Sequence, residues 1–402
     1  MEGEGGSSSG VPDVNGRKRM AMQVIVMLGI VSLFGDIVYE GARSITGPYF
    51  AFLGASAAVV GFVAGAGEFI GYALRLLSGY VADRTERYWT MTILGYGLIT
   101  AIPLIAFAGY WEIAAILLIS ERAGKAIRSP SRDAILSHTT KQVGRGWGFG
   151  VHEALDQIGG IIGPLMFTAV FFFNGGYREG FLLMWAPFLL MLVILLFARA
   201  RVPAPEKLER DEVKREGDGR RLPRVFWLYT IFITVTVVGF ANFQLISYHL
   251  KVGSVVPDID LPIFYAIAMG VDGVVALGIG KFYDRIGMRA LFIIPLMTVP
   301  IPFLAFTSSY GLALAGVIVW GAVLGTHETI MRSAIADLTH ARRRGIAYGI
   351  FNTAYGASFL IGGSLMGVMY EFSVVWIIGL VVATQITSIP IFALIRREAR
   401  YH

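Results

Sequence analysis

The sequence GYVADRTER, residues 79–87, returns later in the chain as GKFYDRIGMR, residues 280–289. Three positions align at a constant offset of 201 residues: Gly79 with Gly280, Asp83 with Asp284, and Arg84 with Arg285. Two further matches follow in the same order, RDAILSHT (132–139) with RSAIADLT (332–339), and RGWGFG (145–150) with RGIAYG (344–349). Three ordered matches at almost one spacing indicate a duplicated unit.

Each copy of this unit is built from apolar stretches. Hydrophobic residues make up 55% of the 402 residues and charged residues 15%, against about 25% charged in soluble domains. Twelve stretches approach the ~20 residues that a bilayer-spanning helix needs. These predicted spans, numbered one to twelve, are 20–50, 56–82, 88–109, 112–138, 145–173, 180–200, 224–250, 262–283, 289–307, 310–337, 345–370 and 372–396. The sequence therefore predicts an all-α polytopic membrane protein with two pseudo-symmetric six-helix bundles.

The segments outside the spans are polar and set the predicted boundaries. We expect a disordered cytosolic tail at 1–19, bundles at 20–200 and 224–397, a charged linker at 201–223 and a second tail at 398–402. The first residues lack the apolar core of a signal peptide. Loops on one side carry twenty-five Lys and Arg residues, and the opposite loops carry only Arg178 and Lys251. This asymmetry predicts cytoplasmic termini, and the net charge of +6 requires no nucleic-acid partner.

The repeated loop motif resembles the signature G-x-x-x-D-R-x-G-R-[KR] of the major facilitator superfamily. The first copy also has Arg87 but places Glu86 and Tyr88 where a glycine and a base are usual. The second copy adds Gly287 and Arg289. The resemblance implies that loop charges latch the two halves together in one conformational state. The positions that match this role are Gly79, Asp83, Arg84, Arg132, Gly280, Asp284, Arg285 and Arg332.

Two further spans resemble signatures of the same family. Span five is similar to its antiporter signature at Gly150, Gly159, Gly163 and Pro164, with Phe167 and Thr168 in place of the last two glycines. These glycines are equally typical of plain helix packing. Span four is similar to the R-x-x-Q-G signature at Arg122, where Lys125 and Ala126 replace the glutamine and the glycine.

Span four also carries a stripe of charge. In ILLISERAGKAIRSPSRDAIL, residues 116–136, four ionic side chains project within an arc of roughly 60° at 100° per residue: Glu121, Lys125, Arg128 and Arg132. Charges inside a bilayer face a cavity or a partner. Apart from Glu112, Arg145 and Arg199 at their ends, the first six spans contain seven acids against six bases, which is close to neutral: Asp36, Glu40, Glu68, Glu121, Asp133, Glu153 and Asp156, with Arg43, Arg75, Arg122, Lys125, Arg128 and Arg132. We expect most of them to be paired, with Glu68 and Arg75 as one candidate pair.

The charge-rich half is the expected place for coupling chemistry. Burial and a neighbouring cation act in opposite directions on the pKa of a carboxyl group, and this competition suits a proton carrier. The proton-coupling candidates are Asp36, Glu40, Glu153 and Asp156. The candidates for a substrate cavity are Arg43, Glu68, Glu121, Arg122, Lys125, Arg128, Asn242, Gln244, Asp272, His327, Glu328, Asn352 and Tyr355, with His249 considered beside them.

These observations and the resemblance imply a secondary transporter of a small solute, a monomer in the plasma membrane that works by alternating access. Proton-coupled export is the leading interpretation, with the proton gradient rather than a cofactor as driving force. The alternatives are proton-driven uptake or facilitated transport of an organic anion, and a metal-ion carrier that uses Asp36, Glu40, His249 or His327. The sequence has no HExxH motif, no phosphate-binding Gly-Lys-Ser/Thr loop and no cysteine, so an enzyme or an ATP-driven chain is not expected.

Overall fold

The protein is helical throughout the part of the chain that the structure describes. The computed structural model describes residues 14–140, 145–203, 222–339 and 344–398. The N-terminal half contains α1 (Val14–Phe52), α2 (Ala57–Thr85), α3 (Tyr88–Gly97), α4 (Ala101–Leu104), α5 (Trp111–Thr140), α6 (Arg145–Phe172), α7 (Tyr177–Leu183) and α8 (Trp185–Arg201). The C-terminal half contains α9 (Arg224–Val238), α10 (Phe243–Val252), α11 (Leu261–Ile286), α12 (Ile293–Thr298), α13 (Pro300–Ala305), α14 (Tyr310–Leu338), α15 (Arg344–Phe372) and α16 (Val374–Glu398).

Within these residues, nine segments are long and apolar enough to cross a membrane. One of them, Leu261–Ala305, has 45 residues and covers two predicted spans. The charged α5, with 30 residues, and α15, with 29, are of spanning length but lie outside the nine. The helical, membrane-spanning character is therefore confirmed, and the count of twelve stays a prediction.

The ends of the predicted regions differ slightly from the structure. α1 begins at Val14, so part of the predicted tail at 1–19 is helical, because the helix continues beyond the apolar run into polar residues. α8 ends at Arg201 and α9 begins at Arg224, on either side of the predicted linker. Residues 1–13, 204–221 and 399–402 lie outside the described residues.

Two apolar clusters form the interior, one for each half. The first extends from Val24 to Val202. The second is formed almost entirely by residues between Val225 and Ile395. Many large apolar side chains remain exposed on the outer helix faces, such as Leu277 at 76% and Val193 at 65% exposure, as expected for surfaces that contact lipid.

The repeated loop motif occupies the same place in both halves. A Cβ atom built on Gly79 would lie 3.5 Å from Pro130 of α5, and one built on Gly280 would lie 3.6 Å from Thr329 of α14. Pro130 and Thr329 are 199 residues apart, within two residues of the offset between Gly79 and Gly280. The duplication read from the sequence is thus repeated in the packing of the helices.

Close contacts at glycine residues join the two halves. Gly61 of α2 lies against Gly363 of α15, and Gly349 of α15 lies against the side chain of Leu76 on α2. Small residues let helix backbones approach closely in a membrane protein. The α2–α15 contact therefore extends along much of the length of both helices.

Span seven is interrupted between α9 and α10. The break exposes backbone groups that lipid cannot satisfy, so side chains must do so. Trp320 Nε1 donates to the carbonyl of Ala241 at 2.8 Å, and Gln385 Nε2 donates to that of Thr236 at 2.9 Å. Asn242 caps α10, because its side chain accepts a hydrogen bond from the Leu245 amide at 2.8 Å. Side chains of the C-terminal half thus satisfy the backbone groups at the break.

Candidate functional site

A cavity of about 430 Å³ lies between the two halves. Its walls carry exposed Asp133 and Glu153, near the ends of α5 and α6 where the basic loops of the sequence lie. We call this end of the molecule the basic side. The opposite side is closed by contacts between the halves: Thr168 Oγ1 donates to the Ile259 carbonyl at 3.3 Å, and Tyr248 OH donates to the Ala55 carbonyl at 3.2 Å. The cavity therefore opens on the basic side.

Charged side chains dominate the lining of this cavity. Among the described residues, seven acids and four bases line it: Asp36, Glu40, Asp133, Glu153, Asp156, Asp272 and Glu328, with Arg75, Lys125, Arg128 and Arg132. All four bases belong to the N-terminal half. The predicted stripe on span four thus faces the cavity and not the lipid.

Arg132 organises the part of the cavity nearest the basic side. Its Nη1 atom donates to Ser32 Oγ at 2.9 Å and lies 3.8 Å from Asp156 Oδ2. His152 completes the group, with Nε2 3.0 Å from Ser32 Oγ and Nδ1 3.5 Å from Asp156 Oδ2. Asp133 also pairs with Arg132 at 3.0 Å. This cluster places a proton-coupling candidate, Asp156, in contact with a predicted latch residue.

Tyr39 of α1 lies at the centre of the cationic stripe. Lys125 Nζ donates to Tyr39 OH at 3.1 Å and lies 4.4 Å from the ring centroid. The guanidinium carbons of Arg128 and Arg122 lie 5.3 and 5.7 Å from the same centroid. An aromatic face attracts cations through its negative quadrupole. The tyrosine therefore holds three positive charges together without neutralising any of them.

Glu121 supplies the negative charge for two of these cations. Its Oε1 atom lies 3.4 Å from Arg128 Nη2 and its Oε2 atom lies 3.6 Å from Arg122 Nε. Glu121 is 1% exposed and Arg128 is 3% exposed. Buried charges of this kind persist only when they are paired. The stripe is thus partly a structural ion-pair network.

A second charged cluster closes the cavity on the side away from its opening. Arg43 Nη2 lies 2.5 Å from Glu68 Oε1, and Arg43 Nη1 lies 3.7 Å from Glu40 Oε1. Tyr265, which belongs to the C-terminal half, donates from its hydroxyl to Glu40 Oε2 at 2.5 Å. The Glu40–Tyr265 bond therefore joins the two halves. A small cavity of about 30 Å³ beside this cluster is lined in part by Arg43, Glu68, Glu121, Arg122 and Gln244.

The C-terminal wall of the main cavity differs in character. It presents the acids Asp272 and Glu328, together with Asn352, beside the apolar side chains Met269 and Phe351. Asp272 is 2% exposed, and its Oδ1 atom has no hydrogen-bond partner in the part of the chain that the structure describes. Among the described residues, this wall carries acids and apolar groups without Lys or Arg, whereas the N-terminal wall carries both acids and bases.

Comparison with known proteins identifies the architecture. The sequence model of the Major Facilitator Superfamily matches residues 31–363 and 261–400. The chain belongs to this superfamily. It is 40% identical over 382 residues to an uncharacterized protein of Mycobacterium tuberculosis, covering 94% of this chain and 93% of that one. It is also 24% identical over 372 residues to an uncharacterized MFS-type transporter of Methanocaldococcus jannaschii, covering 89% of this chain and 91% of that one.

A solved structure supports the same fold. A POT family transporter in complex with a thioalcohol-conjugated peptide aligns with a TM-score of 0.75 at 14% identity, covering 94% of this chain and 96% of that one. Membership of the major facilitator superfamily makes the chain a multi-span membrane transporter of small solutes that works by alternating access, and not an enzyme.

The transporter's predicted cavity residues divide into three groups. Asp36, Lys125, Arg128, Asp272, Glu328 and Asn352 line the main cavity, as do Glu40, Glu153 and Asp156. Arg43, Glu68, Glu121, Arg122 and Gln244 line the small one. Asn242, His327 and Tyr355 line neither, which corrects the prediction for them.

Each corrected residue has a structural reason for its place. Asn242 caps α10. His327 is completely buried and stacks on Phe240, with ring centroids 5.5 Å apart. Tyr355 lies behind the cavity wall, where its ring packs edge-on against Tyr72 at 5.0 Å. His327 and Tyr355 therefore take part in aromatic packing and do not line the cavity.

Two other expectations also change. Glu68 does not pair with Arg75, because Glu68 binds Arg43 and the Arg75 guanidinium stacks on Tyr72 at 4.7 Å. His249 lies outside the cavity, with Nδ1 2.9 Å from Tyr370 OH and Nε2 3.3 Å from the Thr307 carbonyl. Within the described ranges, no three His, Asp or Glu side chains are grouped to hold a metal ion.

The antiporter-type glycines of α6 pack against α1. Cβ atoms built on Gly159 and Gly163 would collide with the α1 backbone at Leu33 and Ile37. Pro164 follows within the same buried turn. Gly150 is exposed, and a Cβ atom there would meet nothing within 4 Å. Helix packing accounts for two of the three glycines.

The predicted latch is open in this conformation. Asp83, Arg84, Asp284 and Arg285 are exposed, and in the described part of the chain none of them forms an ion pair across the halves. Arg132 instead binds within its own half. The side chain of Arg332 lies outside the described residues. The latching role stays a prediction for the opposite conformation.

Sequence reasoning missed several residues of the transporter's cavity. Tyr39, Tyr265 and Gln157 contribute polar groups to it or to its closed end. One signal was present for Tyr39, which lies three residues after Asp36 and four before Arg43 on the same face of α1. Tyr265 carried no such signal, because only the tertiary structure brings it to Glu40.

Proposed function

We propose that the transporter exports a small solute in exchange for protons. The observation that supports this function best is the shared cavity: Asp36, Asp156 and Asp272 line the same space as Lys125 and Arg132. An antiporter needs its titratable group and its substrate site accessible from one side at a time. A cavity that is open on the basic side and closed on the other meets this requirement in one of the two states.

Asp36 and Asp156 are the preferred proton carriers among the four candidates. Both line the interior of the cavity, and Asp156 contacts Arg132 and His152. Glu40 is held by Arg43 and Tyr265, so it suits a role in keeping the far side closed. Glu153 is exposed at the mouth. A carrier must exchange protons through the cavity and respond to the conformation, which favours the first two.

The basic side is assigned to the cytoplasm of a cell with the transporter in its plasma membrane. Loops rich in Lys and Arg remain cytoplasmic during membrane insertion. Because the chain has no cysteine, single cysteines test this assignment cleanly. We expect Asn352→Cys, on the cavity wall, to react with a membrane-impermeant maleimide in inside-out vesicles and Ser44→Cys, fully buried, to stay unlabelled. Faster labelling of Asn352→Cys in right-side-out vesicles would contradict the orientation.

The proposal is tested in proteoliposomes with a solute chosen by thermal shift, since a ligand that binds the folded state raises its apparent stability. We expect an imposed pH gradient to drive the solute in the direction opposite to proton flow. Asp36→Asn or Asp156→Asn should abolish gradient-driven accumulation and retain solute exchange, because an amide mimics the protonated acid. Asp260→Asn is the matched control, since Asp260 lies on the opposite side and accepts a hydrogen bond from Tyr310 at 3.3 Å. Transport that ignores the gradient in the wild-type protein would refute proton coupling.

One observation favours a second candidate, the uptake or facilitated transport of an organic anion. Lys125, Arg122 and Arg128 surround Tyr39, and Arg43 lies in the adjoining small cavity. The same experiment separates the two functions. Solute that moves with the protons, or that only equilibrates, supports the second candidate.

A further inference from the structure

Two unpaired acceptors meet where the halves of the transporter face each other. Gln157 of α6 and Asp272 of α11 both line the main cavity. Gln157 Nε2 donates to Asp272 Oδ2 at 3.5 Å, which is at the limit of a hydrogen bond. Gln157 Oε1 and Asp272 Oδ1 are buried, and neither accepts a hydrogen bond from any described residue. Since buried acceptors are normally satisfied, this pair is incomplete without a donor.

The surroundings of Asp272 carry negative charge. In the described part of the chain no lysine or arginine forms an ion pair with Asp272, in contrast to Glu121 or Asp156 on the other half. Glu328 of α14 lines the same wall. One turn before it, Gly325 lies so close that a Cβ atom there would sit 2.6 Å from Asp272 Oδ1. Because Gly325 has no side chain, the carboxylate of Asp272 has room to pack against α14.

The rest of the wall is suited to an apolar group. Met269, one turn before Asp272 on α11, lines the cavity, as do Met331 and Phe351. The cavity volume of about 430 Å³ falls in the range of pockets that hold a drug-sized molecule. Acidic groups beside thioether and aromatic side chains attract a cation with an apolar body.

We propose that Gln157 and Asp272 form a subsite for a protonated amine, and that the transported solute carries such an amine on an apolar body. An ammonium that enters between α6 and α11 donates one N–H group to Gln157 Oε1 and another to the Asp272 carboxylate. One acceptor comes from each half, so the bound amine bridges the two halves of the transporter. This inference rests on the proposed transport function, since only then is the bound amine the transported solute. It specifies the class of that solute.

The test uses purified full-length transporter in detergent and four probes of similar shape. Phenethylamine has a positive charge and N–H donors, and its N,N,N-trimethyl derivative has the charge without donors. 3-Phenylpropionate is the anion and 2-phenylethanol the neutral compound. We expect phenethylamine to raise the melting temperature most, the trimethyl derivative much less, and the other two not at all.

Variants then locate the subsite. Asp272→Asn and Gln157→Leu should each weaken phenethylamine binding by about tenfold to a hundredfold, as for the loss of a hydrogen bond to a charged group. Asp260→Asn makes the same chemical change at the residue before the same helix, outside the cavity, and should bind phenethylamine as the wild type does. Size-exclusion profiles check that each variant is folded. If Asp272→Asn does not fold, Gln157→Leu still tests the subsite.

Three results would overturn the proposal: no response of the wild type to either amine, equal binding of the two amines, or a stronger response to 3-phenylpropionate. Binding in detergent involves no proton gradient. Failure of this test therefore leaves proton-coupled export standing, and failure of the proteoliposome test leaves the amine subsite standing.

Discussion

The two halves of the transporter share a fold but hold it together with different interactions. In the N-terminal half, Glu121 pairs with Arg122 and Arg128, and Asp156 pairs with Arg132. In the C-terminal half, rings stack instead: Phe240 on Trp320 at 5.7 Å and Tyr229 on Phe351 at 5.4 Å. The duplicated unit therefore fixes where the helices lie, and it leaves the interior of each copy free to specialise. One half is built for charge and the other for an apolar wall.

The strongest test of this difference between the halves is to replace one buried acid in each half. Glu121→Gln should lower the free energy of unfolding by about 3 kcal/mol, because it leaves Arg122 and Arg128 without their buried partner. Asp272→Asn should cause no loss, since Asp272 has no ion pair to break among the described residues. Denaturant titration of the detergent-solubilised variants measures both. Equal losses would mean that the halves are stabilised alike.

Glycine packing should be the property that the halves have in common. Gly163 lies against the Ile37 carbonyl of α1, and Gly321 lies against the Ala268 carbonyl of α11. Gly163→Ala and Gly321→Ala should each cost about 1–3 kcal/mol, as overpacking does. Gly150→Ala, in the same motif as Gly163 but in open space, should be neutral or slightly stabilising because alanine favours a helix. A loss confined to one half would show that the packing has diverged as well.

The smallest effect is expected at the two copies of the loop motif. Asp83→Asn and Asp284→Asn should each change the free energy of unfolding by no more than about 0.5 kcal/mol, because both side chains are exposed in this conformation. Thermal unfolding in detergent provides the measurement. A larger loss at one copy alone would indicate that its aspartate already makes a stabilising contact with the basic side open.

The large-scale architecture could be predicted because it depends on local properties of the sequence. Apolar runs, basic loops and an ordered repeat are visible without knowledge of any contact, and so is the helical period that aligns Glu121 with Lys125, Arg128 and Arg132. In the structure this stripe is directed inward, since three of its members line the main cavity and Glu121 lines the small one.

Partner choice could not be predicted, because it depends on how neighbouring helices are rotated. Glu68 and Arg75 share a face of α2, yet Glu68 binds Arg43 of α1. Histidine is a residue type that often occurs in functional sites, but the stacking of His327 on Phe240 keeps it out of the cavity. Gln157 is adjacent to the recognised Asp156, and only the approach of α11 gives it a role.

The interruption of span seven has a mechanical consequence. α10 packs on α1, where Gly47 lies against the Gln244 backbone, whereas Gly239 at the end of α9 packs on Thr384 of α16. Both pieces of the span thus belong to the C-terminal core, but α10 also contacts the N-terminal half. When the opposite side opens, the contact between Gly47 and the Gln244 backbone must break, because the two residues belong to different halves. We therefore expect α10 to form part of the gate on the opposite side and to separate from α1 when that gate opens.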